Sequence, residues 1–358
     1  MTLLPRENPL LIGHEKAERR FLNAWQSDRI PHAWLISGPE GIGKATLAYR
    51  IARFILLKNT KREQPQKSAL LEHTNPPRNL EVPITDPIFR KVAGGGHPDL
   101  LTIERTQNEK DNRLKSNISV DEIRSSINFL RLTPAEAGWR VLIVDSADDL
   151  SVNAANALLK ILEEPTPQTL ILLTVNRPLQ LLATIRSRCC TLKLQPLSND
   201  ELVHVIQQSK VPIEPKDREN LVNLSGGSPG RALTFAEENI LALFNEFLAL
   251  LENFPQIDAE KLHKLADKLS VSGEEKTFSL TMELICSWLS SLIKNASLGK
   301  HHPGEQQSYN WLTENGVDRL VELWEKIEGL SQRAIHQSLD RKHIILTIFG
   351  LIKSTAKA

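Results

Sequence analysis

The sequence predicts an α/β domain, a parallel sheet flanked by helices, followed by a region made only of helices. Up to about Leu194, short apolar runs alternate with longer amphipathic ones, as in strands joined by crossover helices. A glycine-rich turn follows the first apolar run and opens a helical pattern. From residue 239 onward, apolar residues recur only with the period of an α-helix.

Four apolar runs, at 33–37, 99–104, 141–145 and 170–176, predict buried strands. The helical patterns "KATLAYRIARFIL", "SVDEIRSSINFLRL" and "NAANALLKILEE" follow the first three runs in that order. Ser119 or Asp121 can cap the second helix, and Pro165 ends the third. The segment 58–96 has five prolines, a glycine triplet and no clear period, so it predicts an irregular surface insertion.

Size and composition restrict the possible functions. A chain of 358 residues predicts two or three domains. The 44 Lys and Arg residues nearly balance the 43 Asp and Glu residues, so no overall charge attracts the chain to nucleic acid or membrane. Its three cysteines predict neither a four-thiolate zinc site nor a disulfide framework. Without an apolar leader or a run of about eighteen apolar residues, the sequence predicts a cytoplasmic protein with no membrane partner.

The stretch "SGPEGIGKATLA" nearly matches the phosphate-binding loop G-x-x-x-x-G-K-[ST]. Between a strand and a helix, backbone N–H groups and the helix dipole can hold phosphate oxygens, so ATP is the candidate ligand. Ala45 stands where a hydroxyl would bind Mg²⁺, so metal binding is expected to be weakened and to occur only with ATP. The candidate nucleotide-binding residues here are Gly38, Gly41, Gly43, Lys44 and Thr46, although Thr46 points about 100° away from the position of Ala45.

The stretch "NALLKILEEPTPQTLILLTVNRPLQLLATIRSRCCTLKLQPL" resembles the clamp-loader branch of the AAA+ ATPases, whose members carry N-A-L-L-K-x-L-E-E-P and S-R-C. "GGHPDLLTIE" and "SGGSPGRAL" also resemble this family. An intact S-R-C beside an incomplete ATP site is similar to the delta-prime subunits of the bacterial DNA polymerase III clamp loader. This resemblance implies a three-part chain with boundaries at 1–196, 197–235 (a helical lid) and 236–358 (a helical oligomerisation domain).

The resemblance also implies site residues. Arg188 of the S-R-C would reach the ATP of a neighbouring subunit as an arginine finger. Asn176 fits the family's polar sensor, with a plain turn residue as the alternative because Thr174 is near. Arg231 fits the lid arginine that touches nucleotide, with a simple surface role as the alternative.

The acidic strand end departs from the active family pattern. Asp145 ends the third strand, and Ser146 follows it where ring-forming ATPases usually have a glutamate that polarises the attacking water. Asp148 and Asp149 are expected in a solvated loop or helix cap. A four-cysteine module that many bacterial clamp-loader subunits carry near 58–96 is missing, so no zinc or other structural metal is expected.

The sequence therefore predicts a largely non-hydrolysing clamp-loader subunit. Its implied partners are the ATPase subunits, a delta-like subunit and, through the complex, the sliding clamp and primed DNA. The main alternative is a catalytically active clamp-loader ATPase of the gamma or tau type, or another AAA+ motor. A small-molecule P-loop kinase is a second alternative, but it would not require S-R-C or the terminal helices.

Overall fold

The computed structural model describes residues 3–357 except 28, 63–76, 78, 107–114, 116, 137, 210, 239, 253–255, 272–274, 299–315 and 338. The chain divides into two compact units. The sheet unit comprises Leu3–Val205 with Ser228–Gly230, and the helical unit comprises Ile206–Gly227 with Arg231–Ala358. The division of the chain into three parts, with boundaries at 196 and 235, stays a prediction.

The sheet unit is built on five parallel strands. They are β1 (Ala33–Ser37), β2 (Leu100–Ile103), β3 (Arg140–Val144), β4 (Thr169–Val175) and β5 (Cys190–Lys193). Their order in the sheet is β2-β3-β4-β1-β5. Every residue of β1, β3 and β4 is buried, as expected for strands covered on both faces. The predicted α/β fold and its four strands are confirmed, and β5 is a strand that the sequence patterns did not indicate.

Helices cover the sheet, and the N-terminal cap predicted for one of them is present. They are α1 (Glu15–Gln26), α2 (Lys44–Arg62), α3 (Pro87–Ala93), α4 (Val120–Arg131), α5 (Val152–Glu163), α6 (Ala183–Arg188) and α7 (Asn199–Gln208), which extends past the unit's end. Ser119 caps α4 in a capping box with Glu122. Helix α5 ends two residues before Pro165, as predicted.

The segment 58–96 is more regular than predicted. Its first residues continue α2 to Arg62, and its last part contains α3, which Asp86 caps by accepting the Ile88 N–H. Ile88 and Phe89 of α3 are buried, so this helix belongs to the core rather than to an irregular surface loop. Residues 63–76, in the first half of the predicted insertion, lie outside the described residues.

The helical unit confirms the all-α prediction for the end of the chain. Its helices are α8 (Pro215–Leu224), α9 (Pro229–Glu237, which begins in the sheet unit), α10 (Ile240–Glu252), α11 (Ala259–Leu269), α12 (Glu275–Ser297), α13 (Val317–Gln337) and α14 (Arg341–Lys357). Phe247 of α10 packs against α12 and α14: its ring centroid lies 6.0 Å from that of Trp288 and 5.2 Å from that of Phe349. None of the helices, over the residues described, is long and apolar enough to cross a membrane.

Candidate functional site

The carboxyl ends of β1, β3 and β4 bring the predicted nucleotide-site residues to one side of the sheet. We call this side, formed by residues 38–46, Asp145 and Asn176, the loop edge. In the parallel register, Ser37 at the end of β1 pairs with Val175 at the end of β4. The Gly38 N–H donates to the Val175 carbonyl over 3.3 Å. The loop, the acidic strand end and the candidate sensor therefore lie at the ends of three adjacent strands.

Two glycines of the loop have positive φ angles. Gly41 and Gly43 have φ angles of +71° and +107°, which side chains disfavour. Helix α2 begins at Lys44, directly after the turn. Among the described residues, the N–H groups of Glu40 to Gly43 donate no hydrogen bond. These free donors at a helix N-terminus fit the phosphate oxygens of a nucleotide.

Four consecutive carbonyls of the loop, in contrast, all have partners within the sheet unit. These hydrogen bonds run from Lys44 Nζ to Pro39 O (2.6 Å), Ser228 Oγ to Glu40 O (2.8 Å), Gly230 N to Gly41 O (2.8 Å) and His14 Nε2 to Ile42 O (2.8 Å). The loop is therefore held from outside by residues that come from two distant parts of the chain. The pattern "SGGSPG" was noted in the sequence only as a family resemblance, and its contact with the loop was not predicted.

The backbone of Gly230 lies directly against Gly41. A Cβ atom on Gly230 would stand 2.8 Å from both the Cα and the carbonyl oxygen of Gly41. Only glycine allows the two backbones to approach this closely, so Gly230 is a structural support of the loop.

Lys44 is buried and faces several carboxylates. Only 6% of its surface is exposed. Burial lowers the pKa of Lys44, while the negative charges of Asp145, Glu40 and Asp148 act in the opposite direction. Its ammonium group is thus held in the loop by the Pro39 carbonyl and by this acidic surround, as a phosphate-binding lysine would be.

The residues that would hold Mg²⁺ are incomplete. Ala45 has no hydroxyl, and Thr46 is buried one residue further along α2. The Asp145 carboxylate accepts a hydrogen bond from the Thr174 hydroxyl, which also accepts the Ser146 N–H over 2.8 Å. Over the residues described, no group of three or more His, Cys, Asp or Glu side chains is placed to hold a metal ion. The loop therefore fits the phosphates of a nucleotide better than it fits the accompanying metal.

Asp148 corrects one expectation. Its side chain is fully buried and accepts the N–H groups of Asn176 (3.2 Å) and Arg177 (3.0 Å), so it is not solvated. Asp148 thereby fixes the end of β4, where Asn176 stands. Asp149 is also partly buried, which raises its pKa, and it pairs with Arg105 over 3.1 Å.

Arg188 lies at the opposite side of the sheet from the loop. It ends α6 two residues before Cys190, which pairs with Trp34 near the start of β1. From Trp34 to Gly38 the chain runs four residues along the strand, about 13 Å at the usual rise. We call the surface formed by Thr184, Arg188 and Glu163 the arginine edge. There the Arg188 guanidinium contacts the Glu163 carboxylate over 2.8 Å and donates to the Thr184 carbonyl over 3.0 Å.

Arg231 belongs to the helical unit. Its Nε lies 2.6 Å from a Glu283 carboxylate oxygen, and its guanidinium stacks on the Phe235 ring at 5.6 Å. These contacts place Arg231 within its own unit. Its assignment as a nucleotide-touching arginine stays a prediction.

The chain is similar to proteins of bacterial DNA replication. Residues 13–77 and 85–198 match the model of the family described as DNA polymerase III, delta subunit. The chain is 30% identical over 268 residues to a DNA polymerase III subunit delta' from Pseudomonas aeruginosa, covering 74% of this chain and 72% of that protein.

Two further similarities concern gamma-type proteins. A DNA polymerase III subunit gamma from Buchnera aphidicola is 26% identical over 243 residues, which is 65% of this chain and 58% of that protein. A gamma subunit-related protein from Thermotoga maritima has a solved structure with a TM-score of 0.42 and 17% identity, covering 96% of this chain and all of that one.

Proposed function

Because the chain belongs to the DNA polymerase III, delta subunit family, we propose that it is a delta-prime-like subunit of the clamp loader. In this role it assists the ATP-dependent loading of the sliding clamp onto primed DNA. Its partners are the ATPase subunits of the complex and a delta-like subunit, and it works in the cytoplasm. The lid at 197–235 and the oligomerisation domain at 236–358 belong to the same proposal.

The position of Arg188 is the observation that carries the proposal. The loop begins at the carboxyl end of β1, whereas Arg188 precedes β5 at the side where β1 starts. The start and the end of β1 are about 13 Å apart, so Arg188 cannot contact a phosphate held by its own loop. An exposed arginine at such a site suits the nucleotide of a different subunit.

The chemistry of a guanidinium explains what Arg188 contributes there. ATP bound to the neighbouring subunit supplies the γ-phosphoryl group that is transferred to water. Arg188 presents planar, permanently charged donors, which stabilise the negative charge that develops on the phosphoryl oxygens. Its own chain then needs no base, which agrees with Ser146 at the base position.

In this proposal the chain's own loop binds nucleotide but does not hydrolyse it at a significant rate. Gly38, Gly41, Gly43 and Lys44 supply the phosphate contacts, and Asp145, Thr46, Asn176 and Arg231 complete the candidate set. ATP is the ligand that this set fits, and Mg²⁺ would enter only with it. Ala45 and Ser146 remove the metal hydroxyl and the catalytic carboxylate, so hydrolysis by this chain should be negligible.

The alternative, an active ATPase of the gamma or tau type, has less support. The gamma relative is 26% identical and this chain spans 58% of it, against 30% identity and 72% for the delta' relative. The alternative also requires the base that Ser146 replaces. A robust ATPase rate from the isolated chain that Lys44→Ala abolishes would favour this alternative.

The test is hydrolysis at the adjacent ATP site of the reconstituted complex, with clamp and primed DNA. Arg188→Ala should lower that rate about a hundredfold or more, the range expected for loss of an arginine finger. The complex must still assemble, which gel filtration checks. An unchanged rate in an intact complex would contradict the proposal and leave Arg188 with a structural role.

A further inference from the structure

The Arg188 guanidinium already has an anionic partner in its own chain. Glu163, the last residue of α5, places a carboxylate oxygen 2.8 Å from Nη2 of Arg188. Nη1 of Arg188 donates to the Thr184 carbonyl one turn earlier in α6. Both terminal nitrogens, the ones that a phosphate would need, are therefore engaged by the chain itself.

Other arginines of the sheet unit are held differently. Arg186, in the same helix, is half-buried and donates to the Pro178 carbonyl over 3.2 Å. Arg177, at the opposite edge of the sheet, lies beside the buried carboxylate of Asp148. Arg188, by contrast, pairs with a side chain that is itself about half exposed: the exposed fractions are 36% for Arg188 and 49% for Glu163.

An ion pair of this exposure is weak. Water screens both charges, so such pairs contribute little to stability and exchange readily for a stronger partner. A terminal phosphate carries more negative charge than a carboxylate, and it accepts two donors of a guanidinium at once. The Glu163 pair can therefore hold Arg188 in place and still release it to a phosphate.

We propose that Glu163 is the positioning residue of Arg188. It holds the guanidinium against the sheet unit and must be exchanged for the phosphate of the neighbouring subunit before Arg188 can act. The inference rests on the proposed function, because it requires that Arg188 serves a nucleotide in trans. Glu163 acts only through Arg188 and touches no reacting atom.

If Glu163 and the phosphate compete for Arg188, the resting activity, meaning ATP hydrolysis by the complex without DNA, should depend on Glu163. While Glu163 competes with the phosphate, a fraction of the complexes has its arginine withdrawn, and hydrolysis without DNA is slowed. Removing the carboxylate charge releases Arg188 without changing the shape of residue 163. Resting hydrolysis should then rise, and the stimulation by primed DNA should shrink in proportion.

The experiment compares Glu163→Gln with wild type in the reconstituted complex. Resting hydrolysis without DNA should rise roughly two- to fivefold, the scale of a half-exposed ion pair, with little change in the rate with DNA and clamp. The affinity of the complex for a fluorescent non-hydrolysable ATP analogue should tighten by a similar factor. Glu163→Asp, which keeps the charge, should stay near wild type.

Glu164→Gln is the matched control. Glu164 is the next residue, is exposed and carries the same charge, but it makes no ion pair with another described residue. It should change neither the resting rate nor the analogue affinity. If Glu164→Gln matched Glu163→Gln, the effect would come from general surface charge, and the inference would be wrong.

The double variant separates this inference from the proposed function. If Glu163 acts through Arg188, Glu163→Gln should have no effect on resting rate or analogue affinity once Arg188→Ala is present. A fall or no change with Glu163→Gln, while Arg188→Ala still lowers the rate, would overturn the inference alone. An unchanged rate with Arg188→Ala would instead overturn the proposed function.

Discussion

The polar side chains at the loop edge and at the arginine edge of the same sheet differ in their exposure to water. At the loop edge Lys44 is buried, and the buried side chains of Thr174 and Asp148 hydrogen-bond to Asp145 and Asn176, respectively. At the arginine edge, Arg188 and Glu163 stay in partial contact with water. The loop carbonyls and the side chains around them have partners within the chain, whereas the ion pair at the arginine edge is half exposed. This contrast agrees with the proposal that Arg188 acts on a neighbouring subunit while the chain's own loop turns over no nucleotide.

Among the variants that test this contrast, we expect Arg188→Lys to change the rate of ATP hydrolysis most. Lysine keeps the positive charge but lacks the planar fork of donors, so the hydrolysis rate at the adjacent site should fall at least about tenfold. Single-turnover hydrolysis in the reconstituted complex measures this fall. A wild-type rate would show that only charge is needed at position 188.

Arg186→Lys serves as the matched control for that measurement. Arg186 lies in the same helix but donates to the Pro178 carbonyl. A lysine can also donate to a carbonyl, so the hydrolysis rate should stay within about twofold of wild type. An equal fall in both variants would indicate damage to α6 rather than loss of the finger.

A smaller effect, on stability, is expected at the loop edge from Gly230→Ala. The added Cβ would stand 2.8 Å from the backbone of Gly41, which cannot move away as a flexible side chain could. We expect a loss of about 1–3 kcal/mol in the free energy of unfolding of the sheet unit, measured by urea denaturation. Gly96→Ala is the control, because a Cβ there meets no atom within 4 Å. Equal stabilities of these two variants would contradict the close contact between Gly230 and Gly41.

Thr174→Val tests whether the buried polar groups at the loop edge are structural. Valine keeps the shape but removes the hydroxyl that links Asp145 to the Ser146 N–H. The free energy of unfolding should fall by about 1–2 kcal/mol, because Asp145 and Ser146 lose hydrogen bonds that are partly shielded from water. Hydrolysis by the reconstituted complex should not change. A loss of hydrolysis without a loss of stability would instead assign Thr174 a role in catalysis.

The sequence predicted well the features that depend on neighbouring residues. The four predicted strands, of which only β2 is not fully buried, the Ser119 cap and the end of α5 before Pro165 all rest on local patterns. Strand β5 was missed because its four residues "CTLK" alternate apolar and polar side chains and contain no apolar run. Helix α3 was missed because it has only seven residues, and the prolines and glycines around it indicate an irregular loop.

The sequence indicated candidate site residues but none of their contacts. The loop, Asp145 and Asn176 meet because parallel strands share one carboxyl edge, which the order of motifs implies. The burial of Asp148, the support of the loop by Ser228 and Gly230, and the pairing of Arg188 with Glu163 join residues 25 to 189 positions apart in the chain. No local pattern indicates such contacts, so they required the three-dimensional structure.

The smallest effect is expected from Lys44→Met in the reconstituted complex, and this result decides whether the two edges really differ in function. Methionine keeps an unbranched side chain in the buried position and removes only the ammonium group, whose pKa burial already lowers. Since Ala45 and Ser146 leave the loop without a metal hydroxyl or a base, hydrolysis with clamp and primed DNA should change less than about twofold. A fall as large as that of Arg188→Ala would mean that nucleotide held at the loop edge is needed for the working complex. The buried groups there would then serve function as well as structure, and the separation between the edges would no longer hold.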